Sequence, residues 1–348
     1  MSNLRISVLD QSPIAEGSTG AQALRNTLEL AQLADRRGYH RYWVAEHHGG
    51  LSLAGPAPEV LIGPIASATE RIRVGSGGVM LPHYSPLKVA EQFSLLAGLY
   101  PGRIDLGLGR AAGTDPMTTY ALQRDRRQAA PDDFPDQLAE LLAYLDDRLP
   151  PDHPFVRLAR ALPGLPEKPE PWLLGSSPQS AIWAAELGLP YAFADFINPR
   201  GASITATYRE KFMDSDRLLT PENAVAVWAI AADTEEEART IAASSRMSFK
   251  LLRQGRLIAI PPPDKAIRFL RELGEDPLDP APCDRRTIVG TPDQVQAGIA
   301  AAAREYGAHE VIVVAITYAH EARMRSYELI ADAFGLSSAS TASANTSV

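Results

Sequence analysis

The stretch Arg41-Tyr42-Trp43-Val44-Ala45-Glu46-His47-His48 decides the fold. Tyr42–Ala45 is apolar without a break, as a strand buried on both faces should be. The run then stops abruptly in three ionisable side chains. A buried parallel strand that ends in such residues places them at the C-terminal edge of its sheet, where barrel and open α/β folds keep their chemistry.

The same unit recurs along the chain. Leu4–Leu9 reads as a first strand and Gly20–Arg37 as the helix after it, with Leu24, Leu28, Ala31 and Ala34 on one face and Gly38 at the C-cap. Arg41–Ala45 is the second strand, followed by a helix over Ala57–Glu70. Ile72–Met80 is the third; Ser85 and Pro86 then open a helix. Ile104–Leu108 is the fourth, with a helix over Phe134–Asp147. Trp172–Leu174 is the fifth, entering a helix at Ser177-Pro178; Tyr191–Ala194 is the sixth, before a helix over Ala202–Met213. Ala224–Ala231 is the seventh, before a capping box at Thr234 and Glu237. A second capping box at Thr291 and Gln294 precedes the eighth strand, Glu310–Ile316, and the last helix, Glu321–Phe334. Eight units predict a closed (β/α)8 TIM-type barrel, although an open doubly wound sheet gives a similar pattern. Leu149–Pro171 and Arg253–Ile288 read as irregular insertions. The barrel is expected over residues 1–336 as a single domain, with 337–348, rich in Ser, Ala and Thr, as a disordered tail.

Bulk properties narrow the function. The formal net charge of -8 argues against nucleic acid or an anionic membrane as the main partner. One cysteine, Cys283, excludes an internal disulfide framework and a cysteine-based zinc site. No secretory signal opens the chain and no 18-residue apolar segment exists. The expected location is the cytoplasm.

Glu46, His47 and His48 admit three readings: a metal site, a histidine acting as acid or base, or a hydrogen-bonded structural group. Adjacent histidines on a strand point to opposite sides, which argues against one shared ion. Gly175-Ser176-Ser177-Pro178 offers a hydroxyl and free N–H groups at a helix start, an anion site to which Arg110 could add charge, or only a helix cap. Gly77-Gly78 and the glycines of Gly107–Gly113 match neither Rossmann nor Walker spacing. They point to close approach of a flat ligand or of neighbouring backbone. Trp43, Trp183 and Trp228 read as core aromatics.

Three blocks together carry a resemblance: Tyr42 to His48, Arg73-Val74-Gly75-Ser76-Gly77-Gly78-Val79-Met80-Leu81-Pro82, and Pro101-Gly102-Arg103-Ile104-Asp105-Leu106-Gly107-Leu108-Gly109-Arg110. With Ser177 to Pro190 and Val289-Gly290-Thr291-Pro292, they follow in order over nearly the whole chain. They resemble the bacterial luciferase-like family of flavin-dependent monooxygenases, and among them a single-chain branch named after a polyketide-pathway monooxygenase (the MsnO8-type enzymes).

The resemblance implies a barrel enzyme that uses reduced FMN from a separate flavin reductase. Reduced flavin captures O2 as a C4a-peroxide, which oxygenates a small organic substrate. It implies His47 as the catalytic histidine, with Glu46 beside it near the flavin and His48 as a further candidate. Gly77, Gly78, Gly109, Arg110, Gly175, Ser176, Ser177 and Ser180 are the expected flavin-binding positions. A non-proline cis peptide is expected at Gly77-Gly78, and phosphate contacts at Arg110, Ser177 and Ser180. Gly109 stands where the light-emitting members carry cysteine, which argues against bioluminescence. Asp195 stands where they carry tryptophan, so the substrate side is expected to differ. A homodimer through the helices beside strands two and three is expected. Two other readings stay open: hydride transfer with F420, and a flavin-binding protein without turnover. A metal hydrolase on the same barrel ranks below both, and no metal is expected.

Overall fold

The computed structural model describes residues 4–110, 115–123, 126–127, 132–279 and 286–337. Its strands are β1 (Arg5–Asp10), β2 (Arg41–Val44), β3 (Arg73–Met80), β4 (Ile104–Gly109), β5 (Glu170–Gly175), β6 (Tyr191–Ala194), β7 (Asn223–Ala231), β8 (Ile288–Gly290) and β9 (Glu310–Val314). The helices are α1 (Gly20–Arg37), α2 (Pro58–Ser67), α3 (Pro86–Leu99), α4 (Pro116–Leu122), α5 (Phe134–Asp146), α6 (Val156–Ala159), α7 (Pro178–Glu186), α8 (Ala202–Lys211), α9 (Glu235–Arg253), α10 (Pro263–Glu272), α11 (Pro292–Tyr306) and α12 (His320–Phe334).

β1 to β7 pair in chain order, all parallel; β9 bridges β7 and β1 and closes the ring. The expected (β/α)8 barrel is therefore the architecture. The expected eighth strand is β9. The additional strand, β8, lies outside the ring on the last residues of β7, Ala229–Ala231. β7 outruns its register with β9, which ends at Trp228 and Val314, so its free end accepts another partner.

Side-chain alternation divides the core. Tyr42 and Val44 face the helices, in the large outer cluster. Trp43 and Ala45 face inward, with Leu9, Trp172, Trp228, Ile312 and Val314. Alanines 192, 224 and 226 make room for the indoles, and Trp43 meets Trp172 edge-on at 5.4 Å. Trp183 packs from the helical layer, on Phe134 at 5.3 Å.

The N-terminal end of the barrel is closed by charge. Arg41 is 2% exposed. Its Nη1 donates to Asp105 Oδ2 at 2.8 Å and its Nε to Glu310 Oε1 at 2.8 Å. Its guanidinium lies 4.5 Å from the Trp172 ring. Asp105 also accepts from Trp43 Nε1 and from Arg73 Nε, each at 2.8 Å.

Local signals set the helix ends. The Thr19 side chain accepts from the Gln22 N–H, and Gly38, at φ 80°, returns its N–H to Ala34 and Asp35. Thr291 donates its N–H to Gln294 Oε1 at 2.9 Å, as the capping box requires. Ser85 stands at the N-cap of α3 but makes no side-chain cap bond.

The two expected insertions differ from each other. Leu149–Pro171 holds one short turn of helix, α6, and joins β5 at Glu170. Arg253–Ile288 is not wholly irregular, because it contains α10. Pro263 opens that helix, and Ala266 and Leu270 pack on Ala243, Met247 and Leu251 of α9. Ala111–Thr114, Cys283 and the tail from residue 338 lie outside the described residues.

Three loops meet over the C-terminal mouth. The Ile14 N–H donates to Ser52 O, and the Ala54 N–H to Ser12 O, at 2.8 and 2.9 Å. Ile14 and Glu16 exchange backbone bonds with Ile260, each 2.8 Å. Ile260 is 2% exposed and joins the inner cluster with Trp228 and Ile316. These bonds leave the upper barrel with an apolar roof.

Candidate active site at the barrel mouth

The polar end of β2 splits between two faces. Trp43 and Ala45 face the axis and Val44 the helices; the same alternation, continued past the end of β2, sets His47 on the axial side and Glu46 and His48 on the other. Glu46 is fully buried, and its Oε1 lies 2.7 Å from His48 Nε2. Its Oε2 accepts the Met80 N–H at 2.8 Å. The Tyr84 hydroxyl also hydrogen-bonds it, and burial with the Glu46 and Glu59 charges pushes that phenol well above its usual range. His48 meets the His83 ring edge-on at 5.7 Å. Glu46 was expected to stand beside His47 near the flavin; its side chain instead pairs with His48, on the face turned away from the axis. Among the described residues no group of three or more His, Cys, Asp or Glu side chains could hold a metal ion.

His47 is left on the axial side. Its N–H donates to Gly55 O at 3.0 Å, which ties it to the roof loop. Its Nδ1 is buried without a hydrogen-bond partner. Burial, with His48 nearby, lowers its pKa to about 4. The imidazole is therefore neutral at pH 7, with one N–H and one lone pair. The unfolded chain takes up this proton near pH 6.5. Hence the stability contribution of neutral His47 is present above pH 6.5 and is lost as pH falls toward 4. His47→Gln should flatten the fall of the urea midpoint between pH 6.5 and pH 4; an unchanged slope would show that His47 titrates normally.

Gly77 and Gly78 are joined by a cis peptide, as expected. A Cβ on Gly77 would meet Leu9 Cδ1 at 2.6 Å and Trp43 Cβ at 3.1 Å, on the inner side. A Cβ on Gly78 would meet Gly107 O at 2.7 Å. Neighbouring backbone therefore accounts for Gly78. Gly109 lies against Met80, whose Sδ a Cβ would meet at 3.1 Å.

At the end of β5, a Cβ on Gly175 would meet Ser180 Oγ at 2.2 Å, so glycine lets the first turn of α7 close on the strand. Ser177 is the exposed N-cap of α7 and accepts from the Ser180 N–H at 3.4 Å. Ser180 turns inward: its Oγ donates to Ser177 O at 2.8 Å and lies 2.9 Å from the Tyr191 hydroxyl. A phosphate contact through that hydroxyl is thus not what the structure offers. The Arg110 guanidinium lies 5.7 Å from the ring of Trp183, on α7. It has no carboxylate partner among the described residues. Arg110, at the end of β4, thus lies against α7.

Asp195 is not a pocket residue. It continues the outward alternation of Tyr191 and Phe193, and accepts from the Tyr306 hydroxyl at 2.7 Å and Arg286 Nε at 3.1 Å. Burial raises its pKa despite both partners. Phe196 and Tyr318 pack on the inner cluster instead. Tyr84 and Glu59 were not singled out from sequence, because their approach to Glu46 depends on how two connections fold.

The chain has relatives among known proteins and solved structures. The luciferase-like monooxygenase family matches residues 4–310. The uncharacterised protein YwcH of Bacillus subtilis (strain 168) is 46% identical over 330 residues, 94% of this chain and 98% of that protein. The N-acetyl-S-alkylcysteine monooxygenase of the same organism is 41% identical, over 95% of this chain and 98% of that one. The solved structure of apo-MsnO8 aligns with a TM-score of 0.87 at 42% identity, covering 97% of this chain and 99% of that one. The chain belongs to the luciferase-like monooxygenase family.

Proposed function

We propose that the protein is an FMN-dependent monooxygenase that uses reduced FMN from a separate reductase to oxygenate a small organic substrate. The observation that carries this reading is His47, a neutral imidazole with a buried, unpartnered Nδ1 at the mouth of an apolar barrel. The residues fit a flavin. Leu9, Trp43, Leu174 and Trp228 supply an apolar wall for a flat ring system. The N-terminus of α7, with Arg110 beside it, suits a phosphate. When bound, reduced FMN supplies the two electrons by which O2 gives one atom to the substrate and one to water.

The protein's own part is positional and protic. His47 holds and moves a proton at the reacting oxygen, for which a neutral imidazole is suited at pH 7. The roof around Ile260 excludes water, which would otherwise divert the oxygen to H2O2. Glu46 and His48 hold the end of β2 in place, and so the backbone that carries His47. Exposed apolar side chains on α2 and α3 (Val60, Leu95 and Leu99, 65%, 49% and 63% exposed) support a homodimer through that face. No described helix is long and apolar enough to cross a membrane, which fits a cytoplasmic enzyme.

The test is a competitive titration of reduced FMN against reduced F420. Preferential binding of FMN is expected. Preference for F420 would replace this reading with hydride transfer, and binding of neither would remove both.

A further inference from the structure

We infer that Asn198 is a positioning residue for the cofactor phosphate, acting through the Ser176–Ser177 peptide. This rests on the FMN reading above. Asn198 follows β6, and its Nδ2 donates to Ser176 O at 3.0 Å. The orientation of the amide is fixed from its other end, because Oδ1 accepts the Arg200 N–H at 3.3 Å. The residue's own N–H donates to Ala194 O at 3.1 Å. All three bonds leave the carboxamide one arrangement, with its donor turned to the loop between β5 and α7.

The consequence follows from peptide geometry. In a trans peptide the C=O and the next N–H point in opposite directions within one plane. Holding Ser176 O toward Asn198 therefore directs the Ser177 N–H the other way. That N–H finds no acceptor among the described residues. It sits at the start of α7, where the helix dipole and the free first-turn donors favour an anion. Arg110, whose guanidinium lies 5.7 Å from the ring of Trp183 on the same helix, is the cation nearby. Ser180 is spent on Tyr191 and Ser177, so backbone donors carry more of the phosphate than hydroxyls do.

The segment that bears Asn198 is itself held. Asp195, three residues earlier, is clamped by Tyr306 of α11 and by Arg286. The anchor of the phosphate loop thus reaches back through Asn198 to the outer helical layer. Asn198 acts through the loop it holds, by way of Ser176 O.

The experiment compares FMN with riboflavin, which lacks the phosphate, on the wild-type protein, Asn198→Ala and Asn198→Asp. Binding of each oxidised flavin is read by fluorescence quenching. The wild type should prefer FMN. Asn198→Ala should weaken FMN about fivefold, the loss of one hydrogen bond, and leave riboflavin unchanged. Asn198→Asp should weaken FMN further, since a carboxylate would repel both Ser176 O and the phosphate. Unchanged riboflavin binding also reports that the variants are folded. Equal weakening of both flavins, or no change in FMN, would overturn the positioning role and leave the FMN reading standing. A wild type that binds riboflavin as well as FMN would overturn both.

Discussion

His47→Ala is expected to lower the rate of substrate oxygenation by about 10²–10⁴-fold, the usual worth of a positioned acid–base group. FMN should still bind, because the apolar wall and the phosphate side do not include His47. Oxygen uptake should continue, with H2O2 replacing oxygenated product. Alternation along β2, continued past its end, turns His47 to the axis and its two neighbours away. Burial leaves the imidazole neutral and its Nδ1 unpaired. Product and H2O2 measured together on the same oxygen uptake decide it. An unchanged ratio at an unchanged rate would remove His47 from the chemistry. His48→Ala separates position from chemistry: it should loosen Glu46 and cost less.

Arg41→Ala should give the largest loss of stability, about 3–5 kcal/mol, as expected when one partner of a buried ion pair is deleted. Asp105 and Glu310 are both 0% exposed and both lean on this guanidinium at 2.8 Å. Asp105 would keep Arg73 and Trp43, and Glu310 would keep Ser7 at 2.5 Å and the more distant, part-exposed Arg5 at 3.6 Å. Neither set replaces the lost charge at the centre of the barrel floor. The stack on Trp172 would go as well. Urea unfolding at pH 7 measures this as a fall in midpoint at constant slope. Arg73→Ala is the comparison: its side chain is 21% exposed, so water compensates part of the loss. A smaller effect for Arg41 than for Arg73 would contradict the account of the floor.

Much of this was legible in the sequence for a physical reason. Strands buried on both faces read as unbroken apolar runs, and β6 falls at Tyr191–Ala194 as expected. α1 starts and stops at the expected residues because Thr19 and Gly38 are local signals that no packing overrides. The family blocks led to the site region for the same reason: they lie at strand ends, where a barrel gathers its groups.

What was missed depended on contacts between distant segments, or on a signal left unused. The partner of Glu46 was legible: residues two apart share a face of a strand, so His48, and not His47, was the one to expect. The same alternation from Tyr191 and Phe193 places Asp195 outward, away from any substrate. α10 carried its own signal, a proline at its start with Ala266, Ile267 and Leu270 at helical spacing, inside a stretch that read as an irregular insertion. β8 had no such signal. Three residues cannot declare a strand, and its partner is the overhanging end of β7. The phosphate contact at Ser180 was implied by the resemblance alone, and the approach of Tyr191, eleven positions on, is a tertiary fact that the sequence does not carry.

On the proposed function, this barrel, through His47, controls the reaction of reduced FMN with O2. Rapid mixing of the protein and reduced FMN with oxygenated buffer tests it most directly, following the return of oxidised flavin absorbance. A slow, protein-dependent return is expected in the wild type and a faster one, with more H2O2, in His47→Ala. Reoxidation indistinguishable from that of free reduced FMN, with or without His47, would contradict it.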